Sequence, residues 1–168
     1  MKTLIAALLL FTLPAVAKEK HDIEFNIGVA VLVMPERSAR AKFDGETLVV
    51  SSAKKEIHRE ILPMTDVAEI RKILGSAKKA EWSAYYFNVG VLDGSVIRFT
   101  AKNGDKDLDF EGWNGAPPGF HAIIALINRK CGREVLHVPE EKTLLQAMRF
   151  RDKAEFEEYV RNLATKKD

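Results

Sequence analysis

The sequence predicts an α+β fold, in which an antiparallel, meander-like sheet of six or seven strands packs one face against two or three amphipathic helices. Apolar and polar residues alternate through most of the chain between Ile23 and Phe110, as expected for strands with one buried face. Asp-Gly and Asn-Gly pairs, which favour tight hairpin turns, separate several of these segments. Segments with a helical period follow the strands, so we expect sheet and helices to form one packed unit.

The first 17 residues have the features of a secretory signal peptide. Lys2 precedes an apolar run from Leu4 to Leu13, Pro14 ends the run, and Ala15 to Ala17 are small residues suited to cleavage. The run is shorter than the roughly 20 apolar residues that span a bilayer, and no Cys that could carry a lipid lies beside the cleavage point. We therefore expect residues 1–17 to be removed, leaving a periplasmic or secreted chain without stable membrane insertion.

The remaining residues, 18–168, have the length of one domain. We expect a core domain over 18–138 and a helical segment over 139–168 packed on it. The whole chain has 26 basic and 24 acidic residues, and removal of Lys2 lowers the net charge to about +1. Nucleic-acid-binding domains usually carry a strongly basic stripe, whereas the charges here alternate in sign. No nucleic-acid partner is expected.

Four strands are expected before the first helix, each with alternating apolar and polar residues. They cover residues 23–33, 39–43, 46–52 and 56–62. Asp44-Gly45 predicts a hairpin between the second and third strands. Asp66, with Glu69 three residues later, predicts a capping box at the start of a helix that ends near Gly75.

A second block has a similar pattern. Strands are expected over residues 82–92, 95–101 and 105–112, and a helix over 119–131. Asp93-Gly94 is expected to join the first two of these strands in a hairpin, as Asp44-Gly45 does in the first block. The segments FDGETLVV and LDGSVIRF begin 49 residues apart and share the Asp-Gly pair and the apolar positions after it. They indicate either a duplicated strand-strand-strand-helix unit or a chance similarity between two hairpins.

The C-terminal part contains one ambiguous region and one clear helix. Residues 133–138 are expected to form a last strand, and residues 139–150 are compatible with a helix or a strand. Asp152, with Glu155 three residues later, predicts the start of the final helix. Its apolar stripe contains Phe156, Tyr159, Val160 and Leu163.

The sequence contains no pattern that indicates catalysis, a metal site or a cofactor. No two of the four histidines, His21, His58, His121 and His137, have the spacing of a metal-binding pair on one element. Three acidic residues share one strand face at 105, 107 and 109, but Phe110 follows where a calcium loop requires Gly. No serine elbow or phosphate-binding glycine loop is found. We expect no catalytic residues, no metal and no cofactor.

Two single residues are best explained structurally. The alternation with Ile57 and Ile61 places His58 on the solvent side of its strand. Cys131 is the single cysteine of the chain, so no internal disulfide can form. We expect it to be a small buried side chain, with a reactive thiol or a bridge to a partner as the alternative.

Three residues are candidate binding residues: Trp113, Asn114 and Tyr86. Trp113 and Asn114 lie in FEGWNGAPPGFH, where the other residues have evident roles in ending a strand, turning the chain and starting a helix. Tyr86 alternates with Tyr85 and Phe87, so it is expected on the exposed side of the sheet if those two are in the core. Exposed Trp and Tyr residues often carry binding energy in protein interfaces.

These features together predict an exported, non-enzymatic protein-binding module, such as an inhibitor or an immunity-type protein. The layout of small exported inhibitors and immunity proteins is similar, although a fold does not define a function. One alternative is a small-ligand-binding or hydrolytic domain with a pocket between sheet and helices, in which His58 or His121 would act. A structural envelope protein is another. The oligomeric state is not indicated by the sequence.

Overall fold

The computed structural model describes residues 22–32, 34–88, 90 and 94–165. The predicted signal peptide lies outside these residues, as does Asp93 of the second predicted hairpin. Within them, the chain forms one α+β unit with a single eight-stranded sheet.

Strands and helices follow one another from Ile23 to Thr165. The strands are β1 (Ile23–Val31), β2 (Ala39–Phe43), β3 (Thr47–Ser52), β4 (Lys55–Ile61), β5 (Tyr85–Phe87), β6 (Ser95–Asn103), β7 (Lys106–Trp113) and β8 (Met148–Phe150). The helices are α1 (Met64–Ser76), α2 (Lys79–Trp82), α3 (Phe120–Lys130), α4 (Glu141–Leu145) and α5 (Lys153–Thr165), and a 3₁₀ turn covers Pro35–Arg37.

The sheet is mixed, with the strand order β4-β3-β2-β1-β6-β7-β5-β8. The meander prediction is correct for β1 to β4 and for the β6–β7 hairpin, whose neighbours all pair antiparallel. It is wrong for β5, which pairs parallel with β7 and is separated from β6 by that strand. Directly after β5, the backbone amide of Asn88 donates to the carbonyl of Trp113, the last residue of β7, at 3.0 Å.

The second block therefore does not repeat the strand pairing of the first block. In the first block each strand of β2, β3 and β4 lies beside the next, whereas in the second block β5 lies beyond β7. The shared Asp-Gly pairs precede β3 and β6, but only the first of them connects two neighbouring strands.

One face of the sheet is buried by helices around a cluster of aromatic side chains. The ring of Trp82 contacts Phe99 at 5.3 Å and Phe110 at 6.0 Å, both nearly edge to face. Phe120, the first residue of α3, contacts Phe110 at 5.0 Å and Phe99 at 5.6 Å. All four side chains are at most 1% exposed. We call them the aromatic cluster; it ties α2 and α3 to the centre of the sheet.

Helix α5 packs on the opposite face, at the edge formed by β5 and β8. The ring of Phe156 lies 4.6 Å from that of Phe87 and 5.0 Å from that of Tyr85. The expectation that all helices share one face is therefore wrong for α5. Asp152 does begin this helix as predicted: its carboxylate accepts from the amide of Glu155 at 2.9 Å.

Two local predictions are corrected by the hydrogen bonds. Residues 133–138 form no strand; instead the side chain of Asn128 accepts from the amides of Val135 and Leu136, both at 2.9 Å. These bonds satisfy two backbone amides that would otherwise need a neighbouring strand as hydrogen-bond partner. Asp66 makes no capping box, because α1 begins at Met64 and no side chain caps it. The Asp66 carboxylate binds Lys130 at 2.7 Å instead.

Replacement of Trp82 by Ala is expected to lower the free energy of unfolding by about 3–5 kcal/mol, because it leaves a large cavity in the aromatic cluster. Urea unfolding followed by far-UV circular dichroism measures the loss. The matched control is Trp113→Ala, which removes the same group from a half-buried position and is expected to cost less. Equal losses in the two variants would contradict the central role of the aromatic cluster.

Candidate functional site

The candidate site is the sheet surface opposite α1, α2 and α3, which we call the open face. The burial of β1 alternates residue by residue: Ile23, Phe25, Ile27 and Val29 are buried, whereas Glu24, Asn26 and Ala30 are exposed. The same alternation leaves Arg40 and Lys42 exposed on β2. An antiparallel sheet with one solvated face has this pattern.

Cross-strand neighbours arrange the side chains of the open face in rows. Starting from β7, the rows are Trp113–Val96–Ala30, Glu111–Arg98–Gly28–Arg40–Ser51, Asp109–Thr100–Asn26–Lys42–Val49–Arg59 and Asp107–Lys102–Glu24. Strand β7 thus contributes acidic residues, whereas β2 and β6 contribute basic ones.

A groove of about 700 Å³ lies over the end of the open face where the first two rows run. Small residues form its floor: Gly28, Ala30 and Val96. Pro35 and Ser38, from the turn after β1, line one side. A Cβ atom added to Gly28 would meet no atom within 4 Å. Glycine inside a strand often marks a place where another chain or a ligand approaches the backbone.

Charged residues of one sign line this groove. Arg40, Lys54 and Arg98 lie among its lining residues, which include no acidic side chain. Arg98 donates from Nε to Glu111 at 3.2 Å, with three quarters of its side chain exposed. Among the described residues, neither Arg40 nor Lys54 has an ion-pair partner. The groove is therefore a cationic depression with an apolar floor.

A second depression, of about 340 Å³, lies farther along the same face towards the other end of β1. Its lining mixes acidic and basic residues, and Lys102 lies 3.8 Å from Glu24 across the strands. Asp107 and Asp109 belong to this depression. The open face is thus cationic at one end and mixed at the other.

Trp113 is the predicted binding residue that reaches the surface. It is half-buried at the end of β7, and its ring lies 5.7 Å from that of Phe87, nearly edge to face. Its cross-strand neighbour is Val96, which forms part of the groove floor. Trp113 therefore adjoins the groove.

Asn114 has a structural role. It is fully buried, and its side-chain oxygen accepts from the backbone amide of Ser95 at 2.7 Å. The backbone amide of Asn114 donates to the carbonyl of Ser95 at 2.9 Å. Its φ angle of 52° is in the left-handed region, which Asn tolerates better than most residues. The side chain also occupies the space beside Gly94, where a Cβ atom would lie 2.0 Å from it. Asn114 thus joins the end of β7 to the start of β6.

Tyr86 also lies in the core, so the expectation that it faces solvent is wrong. It is 5% exposed, contacts the ring of Phe110 and donates its hydroxyl to the carbonyl of Glu81 at 2.7 Å. Burial raises the pKa of the Tyr86 hydroxyl to about 12. Its neighbours Tyr85 and Phe87 face the other way, towards α5, which the sequence pattern alone did not distinguish from the core side.

His58 belongs to a polar cluster on the helix side of β4. The register pairs His58 with buried Val50, so the prediction that it faces solvent is wrong. Its Nε2 atom is buried and lies 3.3 Å from a carboxylate oxygen of Glu60, in a geometry that makes no hydrogen bond. Lys130 donates to the carboxylates of Glu60, at 3.0 Å, and Asp66, and its hydrogen bond to Asp66 is the main cause of its raised pKa. The cluster joins β4 to α1 and α3.

Cys131 follows α3 and is half-buried against the core, whereas a buried side chain was expected. Burial raises the pKa of its thiol, Glu60 adds to that effect, and Arg133 opposes it. A raised pKa keeps the thiol protonated at neutral pH, which disfavours nucleophilic attack.

The other two described histidines form no ion pair with the polar cluster of β4. His137 lies 3.4 Å from a carboxylate oxygen of Glu134, and His121 lies in the first turn of α3. No group of three acidic, His or Cys side chains in the described ranges is arranged to hold a metal ion. His21 lies outside them.

Comparison of the chain with protein-family models, curated proteins and solved structures gives no match. Within the part of the chain that the structure describes, no helix has the length and apolar character needed to cross a bilayer.

A pH titration is expected to show the burial of Tyr86. Its folded pKa of about 12 lies above the value near 10 of an exposed phenol. The unfolded chain therefore releases this proton first as the pH rises, so the stability that the neutral phenol contributes is complete below about pH 10 and is lost towards pH 12. Urea unfolding of wild type and Tyr86→Phe measures this loss.

The Phe variant is expected to lose about 1 kcal/mol at neutral pH, from the missing hydrogen bond to Glu81, and to be less sensitive to pH between 10 and 12. A pH dependence equal to that of wild type would show that Tyr86 titrates as an exposed phenol. Tyr159→Phe, on α5, is the matched control because its side chain is exposed.

Proposed function

We propose that this chain is an exported, non-enzymatic protein-binding module of the inhibitor or immunity type, and that the open face of its sheet is the binding surface. The observation that carries the proposal is the groove over Gly28, with Trp113 beside it and Arg40 and Arg98 at its sides. Trp and Arg are the residue types that contribute most often to binding energy in protein interfaces.

The dimensions of this surface favour a protein partner. The groove and the second depression are connected by a third depression, lined by Asn26, Arg40 and Lys42. All three are open to solvent, and they adjoin one another across strands β2, β1 and β6. A small molecule is normally enclosed on most sides, whereas a protein surface can cover several shallow depressions together. Leu32 and Met34, near the turn that lines the groove, are 47% and 38% exposed and supply apolar contact area.

The interior offers less support for a ligand pocket between sheet and helices. The aromatic cluster fills that space with rings in direct contact, at centroid distances of 5.0–6.4 Å. His58, one of the two histidines considered for a hydrolytic role, lies beside Glu60 on the helix side of β4, with its Nε2 atom buried. The protein-binding function is therefore the better supported of the two.

Gly28→Leu is expected to block the groove without disturbing the fold. The added side chain has open space in front of it, and the backbone of Gly28 is ordinary extended strand. The tagged mature chain, used to capture partners from the exported fraction of the producing cells, should retain its partner at least tenfold less in this variant. Quantitative mass spectrometry of the retained proteins measures the difference.

The matched control is Gly75→Leu, which makes the same change at an exposed position on the helix side of the sheet. It should retain the partner as wild type does. Trp113→Ala should weaken retention as well. Equal retention by the Gly28 and Gly75 variants, or no partner above the background of an untagged chain, would contradict the proposal.

A further inference from the structure

The groove differs from the rest of the open face in its charge. Arg40 on β2, Lys54 in the β3–β4 turn and Arg98 on β6 approach it from three elements, and none of its lining residues is acidic. Of the acidic residues of the face, Glu24, Asp107 and Asp109 line the second depression instead, and Glu111, which does not line the groove, accepts from Nε of Arg98. The whole chain is nearly neutral, so the groove carries a local excess of positive charge.

The three cations retain donors for a bound group. Arg98 uses Nε for Glu111 and keeps its two terminal amino groups, while Arg40 and Lys54 make no ion pair with any described residue. Arginine binds carboxylates with two parallel hydrogen bonds when both groups can align. A partner with carboxylates at this end of the face would satisfy donors that are now solvated.

The floor of the groove defines the shape of the occupant. The small side chains of Gly28 and Ala30 leave a stretch of three residues of β1, from 28 to 30, lining the groove, and Val96 supplies an apolar patch beside them. A straight, extended chain segment can lie along such a shallow strip, with alternate side chains directed to the sheet. A bulky folded element would meet Pro35 and Ser38 at the side.

We propose that the groove binds an extended acidic segment of the partner protein, with its carboxylates against Arg40, Lys54 and Arg98 and its backbone over Gly28. This inference rests on the proposed function and adds the chemistry of the partner. A nucleic acid fits less well, because a strand longer than the groove would extend over Asp107 and Asp109, which lie on the same face and would repel its phosphates.

The test uses the isotope-labelled mature chain and a hexapeptide in which glutamate and serine alternate, followed by NMR titration. Saturable shifts are expected at the amides of Gly28, Ala30 and Val96. The same peptide with glutamine in place of glutamate should bind at least tenfold more weakly. Arg40→Glu with Lys54→Glu should lower the affinity for the glutamate peptide at least tenfold.

The matched control reverses two exposed charges away from the open face, Lys79→Glu with Arg133→Glu, and should change the affinity less than threefold. If the groove variant unfolds, Arg40→Gln alone is used, with a smaller loss expected. The inference is overturned if the glutamine peptide binds as well as the glutamate peptide, or if the shifts map elsewhere. It is also overturned if citrate, a ten-nucleotide DNA strand or anionic lipid vesicles occupy the groove more tightly than the glutamate peptide does.

Partner capture separates this inference from the proposed function. If Gly28→Leu abolishes retention of the partner and Arg40→Glu with Lys54→Glu does not, the open face binds the partner, but the inference that the partner supplies an acidic segment is wrong. If neither change alters retention, the proposed function itself fails.

Discussion

The contact between Trp82 and the phenylalanines of the central strands is the constraint on which the rest of the fold depends. Trp82, Phe99, Phe110 and Phe120 are buried together, so β6, β7, α2 and α3 must meet on one side of the sheet. Burial of aromatic surface is a large stabilising contribution in a chain without disulfides. Because side chains alternate along a strand, the residues directly before and after Phe99 and Phe110 are directed to the other side of the sheet.

The open face follows from this alternation. Thr100 and Arg98 flank Phe99, and Asp109 and Glu111 flank Phe110, so burial of the two rings exposes four polar residues in neighbouring rows. Helix α5 covers the β5–β8 edge, where Phe156 contacts Tyr85 and Phe87. The proposed binding function rests on the polar surface between that edge and β3.

Much of the fold is predictable from sequence because its signals are local. The period of two along β1 and the helical period of α3 each report which side of the element is buried, and both are confirmed. The position of β5 is not predictable in this way. Tyr85, Tyr86 and Phe87 are all aromatic, so the pattern does not show which of them face α2 and α3. The parallel pairing of β5 with β7 depends on contacts between residues far apart in sequence.

The candidate site was only partly accessible to sequence reasoning for the same reason. Trp113 stands out by residue type, whereas Gly28, Arg40 and Arg98 are ordinary residues until the register places them side by side. Asn114 and Tyr86 also stand out by type, but both are buried and have structural roles: Asn114 accepts from Ser95 at the start of β6, and Tyr86 donates to Glu81 of α2. The groove is thus a product of strand order, which no short motif encodes.

Site-specific photo-crosslinking in the producing cells tests whether a protein partner binds in the groove over Gly28. A benzophenone amino acid at position 28 places the reactive group over the groove, and the same amino acid at position 133 places it on the exposed turn after α3. We predict a discrete adduct with one protein from position 28, through an acidic segment of that protein, and none from position 133. The same adduct from both positions, or an adduct from position 133 alone, would contradict it.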